Sequence, residues 1–124
     1  MRILIVDDQP KVRAMLRALL ADEDIEFEEA ADGEDAVARY VNRSCDLVLM
    51  DVRMPVLDGI EATGRIISVD RQAHVVAVTD YDDDDCRREA VQAGCRALFG
   101  KDDLMSLRNY VHALLWNRQS GSMN

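Results

Sequence analysis

Leu47, Val48, Leu49 and Met50 form an unbroken apolar run that stops on Asp51, ahead of the loop Val52-Arg53-Met54-Pro55-Val56-Leu57-Asp58-Gly59. Four residues are too few for the core of a helix, and a run without polar alternation does not suit a strand with one wet face. The pattern is that of a strand buried on both faces, as in the middle of a parallel sheet. Such a strand needs helices on both sides of its sheet. It also delivers its last residue to the carboxyl edge, where open α/β sheets bind their ligands. Taken alone, an acid there reads equally well as a ligand or nucleophile and as a simple cap on the strand end.

The rest of the chain supplies the partners this strand requires. Arg2 to Val6 is a second short apolar run, and it too ends on acid, Asp7-Asp8. Pro10 follows at a first helical position, where its missing N–H costs nothing, and Val12, Met15, Leu16, Leu19 and Leu20 recur at helical spacing. Ile25, Phe27 and Ala30 are set among Glu26, Glu28 and Glu29, as in a half-exposed strand at a sheet edge. Asp32 to Asp35 opens a second helix with acid in its first turn, favoured by the helix dipole, and Ala36, Val37, Tyr40 and Val41 form its predicted buried stripe. Asp58 and Glu61 frame the start of a third helix, which runs to about Val69 and is weakened by Gly64 in its interior.

His74 to Val78 reads as a fourth strand ending on Thr79. Asp80 to Asp85 leads into a fourth helix closed by Gly94. A short fifth strand, Arg96 to Phe99, ends at Gly100-Lys101. Asp102-Asp103 then caps a fifth helix with the stripe Leu104, Leu107, Val111, Leu114 and Leu115. Strand and helix thus alternate five times, which implies a parallel sheet with right-handed crossovers and helices on both faces. The predicted fold is a doubly wound, flavodoxin-like (βα)5 sheet of order 2-1-3-4-5. It places the acidic strand at an edge and the first and third strands side by side. The 124 residues suit one core: a single domain over residues 1–118, with 119–124 as a frayed polar tail.

Composition narrows the function. A net charge of −9 argues against a nucleic-acid-binding face. No apolar run approaches the ~18–20 residues a membrane span needs, and the N-terminal run meets acid too soon for a signal peptide. A cytoplasmic location is therefore expected. Cys45, Cys86 and Cys95 are odd in number and lie in no metal-ligand spacing, so they read as reduced structural thiols. Only Lys11 and Lys101 are lysines among fifteen basic residues, which singles out Lys101 at the end of a strand.

On the predicted sheet the strand-end residues converge: Asp7 and Asp8 after the first strand, Asp51 after the third, Thr79 on the fourth and Lys101 after the fifth. Neighbouring strands lie roughly 4.8 Å apart, and two unit charges about 5 Å apart repel by on the order of 3 kcal/mol at an effective dielectric near 20. Three such carboxylates either raise a pKa or gather a cation. A hard divalent ion with oxygen ligands, Mg2+, fits best. With a metal and a lysine present, Asp51 can attack phosphorus and form an acyl phosphate. The metal and Lys101 then offset charge on the transferring group, and the Thr79 hydroxyl can donate to a phosphoryl oxygen. Singly, each residue has a plain structural reading: cap, strand residue, solvated cation. The set has no comparable structural explanation.

From Arg2 to Trp116 the chain resembles the receiver, or response-regulator, domain of two-component phosphorelay signalling. The residues that carry the resemblance are Leu4-Ile5-Val6-Asp7-Asp8, Asp51-Val52-Arg53-Met54-Pro55 with Asp58-Gly59, Val78-Thr79, and Gly94 seven residues before Lys101. The resemblance implies a phosphoacceptor switch rather than an enzyme acting on other molecules. Asp51 would accept the phosphoryl group of a phosphohistidine on a histidine kinase or histidine phosphotransfer protein. Asp8, Asp51 and the backbone carbonyl of Arg53 would bind Mg2+, with Asp7 helping through water. Lys101 would pair with the modified Asp51, and Thr79 would swing in to bond it. That swing repacks the face formed by the fourth helix, fifth strand and fifth helix, which is read by a downstream effector protein or an output domain. Homodimerisation through the same face is compatible with this scheme.

Four positions depart from the family pattern. Leu98 stands where Tyr or Phe usually precedes the lysine by three residues, and alternation along the strand would point Phe99 to the opposite side. Asp80 follows the threonine where a small residue is usual, so it either repels an incoming phosphoryl group, supplies a further cation ligand or simply faces solvent. Arg53 and Tyr81 are large at positions that modulate water access, which predicts a long-lived acyl phosphate. Asp102 replaces the frequent proline after the lysine, so a cis bond is not expected there. Two other classes stay in view. A haloacid-dehalogenase-like hydrolase also uses an aspartyl nucleophile with Mg2+, but Asp7-Asp8-Gln9 does not match its D-x-D pattern. A pseudo-receiver would be an interaction module whose Asp51 is never phosphorylated.

Overall fold

In a computed structural model, which describes residues 1–54, 56–80 and 82–121, the ten expected elements occur in order. They are β1 (Arg2–Val6), α1 (Pro10–Leu20), β2 (Glu26–Ala30), α2 (Gly33–Asn42), β3 (Leu47–Met50), α3 (Gly59–Val69), β4 (Val75–Thr79), α4 (Asp84–Ala93), β5 (Ala97–Gly100) and α5 (Leu104–Gly121). All strands are parallel, in the order β2-β1-β3-β4-β5. The acidic β2 is the outer strand predicted from its glutamates, paired only with β1. Among the described residues no peptide bond is cis, the one after Lys101 included.

Alternation along the strands sorts their side chains into two core layers. Leu4, Val6, Val48, Met50, Ala77 and Leu98 face α2, α3 and α4, where they meet Ala36, Tyr40, Ala62, Ile66, Cys86 and Ala90. Ile3, Ile5, Leu47, Leu49, Val76 and Val78 face α1 and α5, where they meet Leu16, Leu20, Leu107, Val111 and Leu115. β3 and β4 are buried along their whole length. Burial of the central strands removes apolar surface from water on both sides at about 25 cal/mol per Å2, and this fixes the register that positions their ends.

Two expected stripe residues are not in the core. Met15 is 44% exposed and Val41 59% exposed. Each is on the margin of its helix's apolar arc, and the sheet's two layers are already filled by Leu16, Leu20, Ala36 and Tyr40. The expected frayed tail is also shorter. α5 continues through Gly121, because Arg118 pairs with Asp46 at 3.1 Å and the Gln119 amide donates to Asp24 at 2.8 Å, fastening its last turn to the amino edge of the sheet. Residues 122–124 of that predicted tail lie outside the described residues.

Helix starts follow the sequence. Asp32, Asp58 and Asp83 each cap a helix by accepting from a backbone N–H three residues on. Gly94 closes α4 at φ +116°, a conformation that favours glycine. Gly59 answers a different demand: a Cβ there would overlap the Asp51 carbonyl oxygen, whereas one on Gly64 would meet nothing. The same substitution should therefore act in opposite directions in one helix. Gly64→Ala is expected to raise urea stability by roughly 0.5–1 kcal/mol through helix propensity, and Gly59→Ala to lower it by about 2 kcal/mol or more through overlap. Equal shifts in the two urea midpoints would contradict this assignment.

Candidate functional site

The register of the sheet delivers the charged residues to one edge. Val6 pairs with Met50 and Thr79 with Gly100, so Asp7 and Asp51 leave neighbouring strands side by side. The ladder then continues one residue past the strands. Asp51 N donates to the Val6 carbonyl at 2.9 Å, Asp7 N to the Ala30 carbonyl at 3.2 Å and Lys101 N to the Thr79 carbonyl at 2.8 Å. Each of these three residues is therefore held by its neighbour's backbone rather than by a loop.

Asp7, Asp8 and Asp51 each offer a carboxylate oxygen, and these atoms lie within 4.8 Å of one another. Asp7 and Asp51 are buried, at 1% and 6% exposure, while Asp8 is exposed. Lys101 reaches into the group. Its Nζ donates to Asp7 Oδ2 at 2.8 Å and lies 3.5 Å from Asp51 Oδ1 and 3.7 Å from Asp80 Oδ2. Burial opposes the charge on Lys101 most strongly, yet the Asp7 hydrogen bond and the Asp51, Asp7 and Asp80 carboxylates outweigh it and raise its pKa. Asp51 is pushed the other way. Burial first, and then the Asp7 charge, raise its pKa to about 6 against the pull of Lys101, with Asp8 adding a smaller push.

One cation thus stands against a buried pair and an exposed third carboxylate. The donor set is all hard oxygen, open on the Asp8 side, and carries a surplus of negative charge: the chemistry that suits Mg2+. Asp7 is fixed further by contacts that the sequence did not announce. Its Oδ1 accepts from Gln9 N at 2.9 Å, and its carbonyl accepts from Arg13 Nη1 at 2.7 Å, while Arg13 Nε pairs with Glu29 on β2 at 2.8 Å. Only a contact between α1 and the strand ends shows that role; no spacing signals it.

The family model of the response regulator receiver domain matches residues 3–112. The chain belongs to that family. It is 40% identical to the chemotaxis protein CheY of Halobacterium salinarum over 93 residues, covering 75% of this chain and 78% of that one. It is 33% identical to sporulation initiation phosphotransferase F of Bacillus subtilis over 115 residues, covering 92% and 93%. Among solved structures it is similar to the CheX-CheY-BeF3-Mg2+ complex of Borrelia burgdorferi, with a TM-score of 0.85 and 27% identity over 93% of this chain and 89% of that one. It is also similar to the response regulator TrrA of Thermotoga maritima in complex with Mg2+-BeF, with a TM-score of 0.81 and 30% identity over 91% and 97%. Receiver domains are phosphoacceptor signalling switches, and this chain is one by family.

In this receiver domain the structure brings Asp7, Asp8, Asp51 and Lys101 together. Thr79 ends β4 fully buried, and its hydroxyl engages the thiol of Cys86 in the first turn of α4. Arg53 is exposed, with its guanidinium 3.9 Å from Glu89 on α4; Tyr81 lies outside the described residues, as does Pro55 of the Asp51 loop. Asp80 is 64% exposed in its side chain yet faces Lys101. Leu98 is 8% exposed in the α4-side layer, while Phe99 turns to the α5 side and meets Tyr110 edge-on at 5.3 Å, as alternation predicts. His74, given no role from sequence, bonds Tyr110 at 2.6 Å in the same aromatic group.

The raised Asp51 pKa has a consequence for stability. Its value of about 6 lies above the ordinary carboxylate value, so the folded chain holds the Asp51 proton more tightly than the unfolded chain. Stability contributed by the neutral form is therefore lost as pH rises through about 4 to 6. Asp51→Asn removes that penalty. In chelator, its stability by urea titration at about pH 7.5 should exceed wild type by about 1–3 kcal/mol. The gain should vanish below about pH 3.5, where Asp51 is neutral in both states. A variant no more stable than wild type at neutral pH would remove the account of a buried, charge-crowded Asp51.

Proposed function

We infer that Asp51 is the phosphoacceptor of this receiver domain and that its donor is a phosphohistidine on a histidine kinase or histidine phosphotransfer protein. The observation that carries this reading is the placement of Asp51 beside Asp7, Asp8 and Lys101 at the carboxyl edge, held by backbone hydrogen bonds. An Asp51 oxygen attacks phosphorus, the P–N bond breaks, and its electron pair leaves with the imidazole. Asp8, Asp51 and the Arg53 carbonyl, with Asp7 through water, would hold Mg2+. When bound, that ion supplies Lewis-acid polarisation of the phosphoryl oxygens. Support comes from the Mg2+ present in the structures of two relatives.

Lys101 is placed to exchange part of its Asp7 and Asp51 pairing for an oxygen of the new dianion. Thr79 would leave Cys86 to donate to the same group, biasing the packing of α4. The partner-facing surface is then that of α4, β5 and α5, where Val91 and Met105 are exposed, and its reader is an effector protein or an output domain. Among the described residues no helix is long and apolar enough to cross a membrane.

A second reading, an interaction module that is never phosphorylated, draws on Leu98 in place of an aromatic switch and on Asp80 beside Lys101. Intact mass separates the two. Incubation with Mg2+ and phosphoramidate or acetyl phosphate should give one phosphoryl adduct, lost with chelator and absent from Asp51→Ala. A folded wild-type protein without adduct, even with a histidine kinase supplied, would decide for the interaction module. The bulky Arg53 also predicts a slow loss of the adduct, and Arg53→Ala should shorten its half-life; an unchanged half-life would show that water reaches the acyl phosphate by another side.

A further inference from the structure

The open side of Lys101 is occupied by a carboxylate that the phosphoacceptor scheme does not use. Asp80 Oδ2 lies 3.7 Å from Nζ, farther than the 2.8 Å contact with Asp7 but close to the 3.5 Å contact with Asp51. Lys101 is 11% exposed and Asp80 64% exposed in their side chains. Asp80 is therefore an exposed carboxylate of the group, like Asp8, while Asp7 and Asp51 are buried. Three carboxylates, those of Asp7, Asp51 and Asp80, lie within 3.7 Å of one ammonium group, and Asp8 stands beside Asp7 and Asp51 as a fourth. Even a bound divalent cation leaves this group with negative charge in excess.

We propose that Asp80 is a specificity-determining residue that disfavours phosphodonors arriving as full dianions and leaves N–P donors as the favoured class. This rests on the phosphoacceptor reading of Asp51 and deepens it. Acetyl phosphate brings two negative charges at neutral pH. Phosphoramidate carries an ammonium on its phosphoryl group and brings one, and the protonated ring of a phosphohistidine reduces its charge in the same way. In each case the Asp51 oxygen forms the new O–P bond. From acetyl phosphate the P–O bond breaks and acetate leaves with the electron pair. From phosphoramidate the P–N bond breaks and ammonia leaves with the pair and the three protons it already carried. The products at Asp51 are identical, so a difference between donors arises in the approach and the transfer, where charge is felt. Asp80 also competes with the incoming oxygens for Lys101, and that competition weighs most on the donor with the least compensating charge.

The test is the rate of adduct formation by intact mass, for wild type, Asp80→Asn and Asp80→Glu, with acetyl phosphate and phosphoramidate at saturating Mg2+. Asp80→Asn keeps the size of the side chain and removes its charge. It should raise the acetyl phosphate rate about fivefold more than the phosphoramidate rate, the effect of one unit charge at about 6 Å with solvent screening. Asp80→Glu should keep the wild-type preference. The difference between donors should shrink at about 1 M salt, where the Debye length is about 3 Å. Equal changes for both donors would assign Asp80 a steric or metal-linked role and overturn the proposal, as would no change for either. Failure of wild type to label with both donors and with a kinase is a separate result, since it removes the phosphoacceptor reading itself.

Discussion

The parallel pairing of Val6 with Met50 brings two buried carboxylates, Asp7 and Asp51, to adjacent positions at one sheet edge. Much of the surrounding structure bears on that crowding. Lys101 enters from the far end of β5 to lie between them, tied by its own amide to Thr79. Gln9 and Arg13 bond Asp7 from the start of α1, and Gly59 lets α3 begin directly against the Asp51 carbonyl. Lys101 offsets only part of the negative charge, and the other contacts hold the carboxylates in place without neutralising them. The core below makes this tolerable, because β3 and β4 are buried along their length and their register cannot slip without turning every side chain to the other face.

A chain under selection for stability alone would not keep Asp51 at a pKa near 6. On the phosphoacceptor reading, a cation entering beside Asp51 would relieve that cost, so the burial and charge crowding that weaken the free fold would favour the loaded one. This is the usual exchange between stability and function at a preorganised site, here traceable to named carboxylates.

Most of the fold was legible because its signals are local. The Leu47–Met50 run, the acids that cap α2, α3 and α4, and the glycine at the end of α4 each act within a few residues. The strand-end acids and lysine were legible for a related reason: a parallel sheet gathers its carboxyl ends, whatever the distance in sequence. What escaped the sequence lies between elements. The exposure of Met15 and Val41 depends on how much of each helix the sheet can cover. The grip of Arg13 on Asp7, the anchoring of the last turn of α5 by Asp46 and Asp24, and the approach of Asp80 to Lys101 join residues that no periodicity links. Long charged side chains choose among several partners, and only the assembled fold says which are within reach.

The two core layers also bear on how a charge at the sheet edge can be felt elsewhere. Thr79 contacts Cys86, which belongs to the α4-side layer together with Leu98 and Ala90. Phe99, Tyr110 and His74 form a connected aromatic and hydrogen-bonded group on the α5 side. Leu98 rather than an aromatic occupies the first layer beside Cys86 and Ala90. A displacement of Thr79 would first break its contact with Cys86 and so act on the opening turn of α4. The α5 side is tied to β4 and β5 through Tyr110, and it would follow only if β4 itself moved. On the phosphoacceptor reading, charging Asp51 would therefore act on α4 through Cys86.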